Sequence, residues 1–450
     1  MTPRVAKLKE HLKFSLWFRP MLFLFMGLVL GLVLPMVELG WPWVSRSLHG
    51  VWFSRYLPGT ADSGRELLIT MAAALATMLA VSASMTMVTV QLASSQITPR
   101  LLRRFMSDPV TQRMLGFFLA TVTYLLLVLG TLSSRQEHQA QAAMPLLSLA
   151  VAMVLTLACL MLLPGLLHHA ARAVEVATVI STVGREIISE LRRIQHRPDA
   201  ELGSERPGPD EPPALLTAEQ TGYLQLIDEP RLLAALPPGT HAVRLEVRTG
   251  DFLFPGMPLV SIWPRVRLEP RQRARLHAAL AVGRERTMQQ DVLYGVRQLV
   301  DMALKALSPA INDVTTALMV VNELGAVGCA LVHQGVLGHG WWMHQRGEVT
   351  LFTSGFGLGP FLDEAFTEIP RAAASQPRVL ARVLEVLAQL ASLETRKPLR
   401  QALIRCGQAV REASGLERLR EVDARFVEQR WQELQRAVHH PGVLPVPEVH

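Results

Sequence analysis

Charge and cysteine are both scarce in this 450-residue chain. Its three cysteines, Cys159, Cys329 and Cys406, stand far apart with no paired spacing, which excludes a disulfide framework and a cysteine zinc motif. Asp, Glu, Lys and Arg make 18% of residues against 50% hydrophobic, too little charge for a disordered chain and too much hydrophobicity for a wholly soluble one. Catalytic motifs are missing as well: there is no P-loop, no dinucleotide fingerprint and no Gly-x-Ser-x-Gly elbow. His168-His169 and His439-His440 lack neighbouring ligands, and His339 and His344 flank Trp341-Trp342 without a nearby carboxylate or cysteine, so no metal is expected. The chain is read as a non-enzyme without cofactors.

What it has is long uncharged runs, all before residue 170: Met21–Val37, Leu67–Pro99, Met114–Ser134 and Ala142–Leu167. A helix needs about 20 residues to cross roughly 30 Å of hydrocarbon, so four transmembrane helices are expected. Basic residues orient them. Arg4, Lys7, Lys9, Lys13 and Arg19 precede the first run, Arg100, Arg103, Arg104 and Arg113 follow the second, and Arg172, Arg185, Arg192, Arg193 and Arg197 follow the fourth, while the 134–141 loop has only Arg135. Positive charge collects on the cytoplasmic side, which places both termini there. The 38–66 loop, with Arg46, Arg55 and Arg65, runs against this pattern, although its Trp41, Trp43, Trp52 and Tyr56 suit an outer interface. The net charge of +7 is thus a topology signal, and no nucleic-acid partner is expected.

Domain organisation follows composition. Residues 1–197 form the transmembrane domain with a basic start and an exit helix, 198–213 are a linker carrying five prolines, and 214–450 form a helix-dominated cytoplasmic α+β domain. In the last, 240–264 alternates like a small β unit. Helices are expected over 271–334, in the pieces 271–282, 288–307 and 314–334, and over 376–436, in the pieces 376–395 and 398–436. A strand is expected over 348–353, followed by a glycine-rich loop to Gly359. The spacing Gly250-Asp251 to Gly256-x-Pro258-Leu259 resembles the hairpins of lipoyl and biotinyl carriers, but the turn has no lysine to modify, which rules out a carrier.

The second run is the most informative. Thr70, Thr77, Ser84 and Gln91 recur every seven residues, and a helix drifts only about 20° per heptad, so they form one polar stripe that Ser95 extends. Ser82, Thr86, Thr89 and Gln96 lie roughly opposite. One reading is a hydrated path lined by several subunits. The other is helix packing, aided by Ala72, Ala73, Ala76, Ala80 and Ala83. Beyond the stripe, Thr98 and Pro99 start a short basic amphipathic helix bearing Arg100, Arg103 and Arg104 on the inner leaflet.

In the cytoplasmic part, Thr287 is expected to cap a helix on which Arg297, Asp301 and Lys305 follow at steps of four, and Asn312 or Asp313 to cap the next. Asp291, Arg297, Asp301, Asn312 and Asp313 form either an ion or ligand site or only caps and ion pairs. Together with Gln91 to Leu102, the run Thr287-x-x-Gln290-Asp291, Tyr294-Gly295, Arg297 to Leu299, Ala306 to Asp313 and Thr315 to Ala317 resembles a bacterial family of membrane proteins catalogued as domain of unknown function 2254. It differs from that signature at Val314, where the family has a proline. The resemblance implies a bacterial inner membrane and no assigned chemistry. Two functions are expected as alternatives: an oligomeric ion channel or pore lined by the stripe and gated by the cytoplasmic domain, or a membrane-anchored scaffold or signalling protein whose cytoplasmic domain binds a ligand or partner. The bilayer, further copies of the chain and an ion or small molecule are the expected partners.

Overall fold

The computed structural model describes residues 18–40, 61–96, 108–138, 146–173, 175–193, 200–201, 206–334, 341–354, 356–394, 396–413 and 419–439. The chain divides into two compact units, Met1–Glu175 and Val176–His450.

The first unit holds α1 (Phe18–Gly40), α2 (Ala61–Gln96), α3 (Pro109–His138) and α4 (Leu146–Ala173). α3 packs against the other three. Glycine allows its closest approach: a Cβ at Gly27 would strike the Ala120 backbone, one at Gly31 would meet Leu127 at 3.0 Å, and Gly116 leaves room for Phe23. Phe118, Tyr124, Leu125, Val128, Leu68, Leu75, Leu149 and Leu166 fill the core. The outer faces expose Phe25 (65%), Met87 (71%) and Met161 (73%), an apolar surface consistent with a membrane location.

The second unit begins with α5 (Val176–Arg193). It continues through β1 (Ala200–Glu201), β2 (Ala214–Thr217), β3 (Gly222–Ile227), α6 (Glu229–Ala234), β4 (Ala242–Leu245), β5 (Phe252–Leu253), β6 (Pro258–Trp263), α7 (Pro270–Ala278) and β7 (Leu280–Gly283). There follow α8 (Val292–Ala306), α9 (Val314–Gln334), β8 (Trp341–Arg346), β9 (Val349–Ser354), α10 (Leu358–Phe366), α11 (Glu368–Ala372), α12 (Pro377–Leu393), α13 (Lys397–Ala413) and α14 (Glu421–His439). One sheet runs β1-β8-β9-β4-β6-β2 with only β4 and β9 parallel; a second, antiparallel sheet runs β5-β3-β7. The β unit expected over 240–264 is therefore shared between two sheets. Leu224, Val243, Leu253, Ile262, Leu276 and Leu351 form one continuous core beneath them. The helices make the other layer, with α9 packed on α5, α8 and α12.

Several boundaries differ from expectation for local reasons. The helix foreseen over 271–282 stops at Ala278, and Leu280–Gly283 pairs with β3 instead. A four-residue apolar run carries no periodicity that separates strand from helix. The 398–436 helix is two helices, α13 and α14, and the glycine-rich loop after β9 gives way to α10 at Leu358. The proline-rich segment is partly built into the sheet: Ala200–Glu201 pairs with β8, and the Pro207 carbonyl accepts from Arg244.

Among the described residues, five helices are long and apolar enough to cross a membrane: Phe18–Glu38, Asp62–Leu92, Pro109–Leu132, Leu146–Arg172 and Val314–Gln334. Four match the uncharged runs; the fifth is α9 and lies in the second unit.

Replacing Gly27 by valine forces a side chain into the Ala120 backbone and should destabilise the first unit by about 1–3 kcal/mol. Gly130→Ala, where a Cβ meets nothing within 4 Å, should be close to neutral. Thermal unfolding of the two variants in detergent checks both.

Candidate functional site

On α2, Thr70, Thr77, Ser84 and Gln91 are all exposed, and so are Ala73, Ala76, Ala80 and Ala83 on the same side. The Thr70 hydroxyl donates to the Glu66 carbonyl at 2.9 Å and Thr77 to that of Ala73 at 3.0 Å. The opposite set turns inward: Ser82 is buried, and half-buried Thr86 and Thr89 donate to the carbonyls of Ser82 and Met85. The structure thus separates two stripes that periodicity alone left equivalent, and the heptad stripe faces away from the other three helices. The side chains of Ser95 and Gln96 lie outside the described residues, as do Arg100, Arg103, Arg104 and the aromatic residues of the 41–60 loop.

Two polar groupings in this unit were invisible in sequence. Glu38, 5% exposed, accepts from the backbone N–H of Leu147 and Ser148 and from the Ser148 hydroxyl at 2.9–3.1 Å, so its carboxylate caps α4. The Tyr124 hydroxyl donates to the Ser148 carbonyl at 2.8 Å. At the other end of α3 and α4, Asp108 caps α3 through Thr111 and meets His169 Nε2 at 2.7 Å. Each grouping joins residues 61 or more apart in the chain, which no local pattern reveals.

In the second unit α8 starts at Val292 because Gln290 sits at φ 61°, in the left-handed region, and Asp291 is the N-cap, accepting from the Tyr294 N–H at 3.1 Å. Thr287, the expected cap, instead has a buried hydroxyl without a hydrogen bond among the described residues. The Gln290 side chain accepts from the Ile227 N–H and donates to the Ile227 carbonyl at 3.0 and 3.1 Å, extending the edge of β3. Its own N–H donates to the Glu190 carboxylate on α5, and its carbonyl accepts from Thr249. Gly250, at φ 95°, leaves the space that the Asp291 carboxylate occupies. Four segments therefore meet at Gln290-Asp291. The resemblance motif contains both residues, and that was the one sequence signal pointing to Gln290.

Arg286 grips Asp291 through two bonds of 2.9 and 3.0 Å and lies over the Tyr294 ring. Burial pushes the Asp291 carboxyl above its usual range, against the pull of Arg286 and the Tyr294 amide. Arg297 bonds Asp301 at 2.8 Å and Glu368 at 2.6 and 3.0 Å and lies 3.5 Å from Glu364, so it ties α8 to α10 and α11. The Glu368 carboxyl is held below its ordinary value by its bond to Arg297. Asn312, at φ 50°, accepts from Gln376, and Asp313 caps α9 through Thr316, whose hydroxyl and amide hold that carboxyl low. Val314 is the first helical residue, a position that also suits proline. The five residues are thus divided between an ion pair with a cap, a bridge between helices, and a turn. No group of three or more His, Cys, Asp or Glu fit to hold a metal occurs among the described residues.

A cleft of about 490 Å³ opens between α10 and α13, lined by Leu362, Asp363, Phe366, Arg371, Arg405 and Cys406 among others. Burial, with Asp363 nearby, pushes the Cys406 thiol up to about 12, so it stays a neutral thiol and a poor nucleophile.

A family model described as "Predicted membrane protein (DUF2254)" matches residues 13–389. Uncharacterized proteins of Mycobacterium bovis and of Mycobacterium tuberculosis H37Rv are each 29% identical over 401 residues, covering 87% of this chain and 74% of their own length. No solved structure matches.

Arg297→Gln should lower the thermal midpoint at neutral pH. Because Glu368 has its pKa depressed in the folded state, its contribution is present above 4.5, the ordinary glutamate value, and is lost as pH falls through the depressed value. The gap between wild type and variant should therefore narrow on acidification below 4.5, as unfolding scans across pH would record.

Proposed function

The chain belongs to the DUF2254 family of predicted membrane proteins, and from the exposed polar face of α2 we propose that it is a four-span oligomeric channel or pore lined by that stripe. The observation that carries the reading is the outward direction of Thr70, Thr77, Ser84 and Gln91. Between Thr70 and Gln91 a helix rises about 32 Å, close to the full hydrocarbon thickness. A polar stripe of that length on the outside of one chain becomes a hydrated path when copies gather with α2 on the axis, since hydroxyls and amides replace part of an ion's water shell.

In this reading α1 to α4 are the spans and both termini are cytoplasmic. α9 is a core helix of the cytoplasmic unit: its buried Val320, Val321, Leu324, Val327 and Leu331 pack on neighbouring helices, and Asn322 midway along it accepts from Arg382 at 2.6 Å. The cytoplasmic unit gates the path, and no catalysis is assigned to it; its Asp291, Arg297 and Asp313 serve in caps and ion pairs.

One observation favours the alternative, a membrane-anchored scaffold or signalling protein that conducts nothing. The Thr70 and Thr77 hydroxyls already bond their own helix, so they tolerate lipid without a partner.

Planar-bilayer recording separates the two. A channel gives unitary currents that fall several-fold in Thr77→Leu/Ser84→Leu. Silence in the wild type, or currents unaltered in the variant, would remove α2 as the pore lining.

A further inference from the structure

Between β6 and β7 the chain carries Arg265, Arg267, Arg271, Arg273 and Arg275, with Glu269 as the one acid between them. All five arginines are exposed, and none forms a salt bridge among the described residues. This sets them apart from the surface arginines that do pair, such as Arg231 with Asp228, Arg346 with Glu229 and Arg382 with Glu385.

The segment is held firmly from beneath. Leu268 and Leu276 are buried in the core under the sheets, and Val266 packs against the same core, so Arg265 and Arg267 point outward by alternation. Pro270 starts α7, and the Glu269 N–H donates to the Gln272 side-chain oxygen at 3.1 Å in a capping-box arrangement. Arg271 and Arg275, one turn apart, share a face of α7, and with Arg265, Arg267 and Arg273 they make this anchored segment strongly basic.

We propose that this surface docks on anionic phospholipid headgroups of the membrane in which the chain itself is embedded. Guanidinium forks match phosphate oxygens in paired bonds and shed water more readily than ammonium groups. Basic residues gathered on a surface helix attract anionic leaflets, each Lys or Arg contributing about 1 kcal/mol near the surface. The tether is short, since α5 starts at Val176 after α4 ends at Ala173, which raises the effective concentration of the leaflet around the unit. A nucleic acid fits less well: residues 264–278 contain no Phe, Tyr or Trp on which a base could stack, and the adjoining Trp263 is buried with its indole N–H donating to the Glu211 carbonyl. The proposal rests on membrane location and not on conduction, so a silent bilayer recording leaves it standing.

The test uses the full chain in nanodiscs of phosphatidylcholine alone or with phosphatidylglycerol, with a fluorescent amino acid at exposed position 274 and a nitroxide quencher on the lipid headgroups. Quenching should rise about threefold with phosphatidylglycerol and return to the neutral-lipid level at high salt, where screening shortens the reach of surface charge. R265Q/R267Q/R271Q/R273Q/R275Q should show no dependence on lipid charge. Equal quenching in both lipids, or a rise that salt does not reverse, overturns the proposal even if the fivefold variant fails to fold. So does arginine-dependent binding of a single-stranded oligonucleotide by wild type in neutral discs combined with no response to phosphatidylglycerol.

Discussion

Hydrocarbon supplies no hydrogen-bond partners, and the first unit is arranged around that constraint. Its threonines turn their hydroxyls back onto their own helices, as Thr70, Thr77, Thr86, Thr89, Thr121 and Thr156 do. Glu38 spends its carboxylate on the free N–H groups at the start of α4, and Asp108 caps α3 while meeting His169. With these polar groups satisfied and only the Ser82 hydroxyl unpartnered among the described buried side chains of this unit, the helices are joined mainly by packing, which is why Gly27, Gly31 and Gly116 matter where α1 crosses α3. The same constraint gives the α2 stripe its meaning. Gln91 has an amide that a helix backbone cannot fully satisfy, and it stands exposed at one end of a line of hydroxyls directed away from the bundle.

In the second unit buried charge is the expense. Asp291 is compensated by Arg286, Arg297 by Asp301, Glu364 and Glu368, and Glu246 by Arg206 and Arg244. Gln290 joins these pairs to the β3 edge, α5 and the Thr249 turn, taking a left-handed backbone to do so. A residue held outside its preferred conformation by three neighbouring segments is a structural keystone of this unit.

Much of this was legible in the sequence. The uncharged runs marked α1 to α4 because twenty apolar residues in a row are a strong signal, and period seven identified the stripe. The α9 segment shows the limit of that signal: it also reaches the length and apolarity of a span while packing on α5, α8 and α12, and hydropathy alone does not separate a core helix from a span. Short strands such as β2, β3 and β7 were missed because pairing across dozens of residues, not local propensity, makes them strands. In the second unit, Asp291, Arg297 and Asp313 were named from the sequence as part of one polar cluster, with a ligand site or caps and ion pairs left open. Their distant partners, Glu368 for Arg297 and Gln376 for Asn312, lie more than sixty residues away and leave no trace in spacing.

The central claim is that the outward face of α2 meets the same face of another copy. Cysteine cross-linking in native membranes addresses it most directly, comparing Ala80→Cys on that face with Val154→Cys, which is exposed on α4. The account predicts a disulfide-linked dimer at position 80 and little at position 154. Equal cross-linking at both positions, or none at position 80, would contradict it.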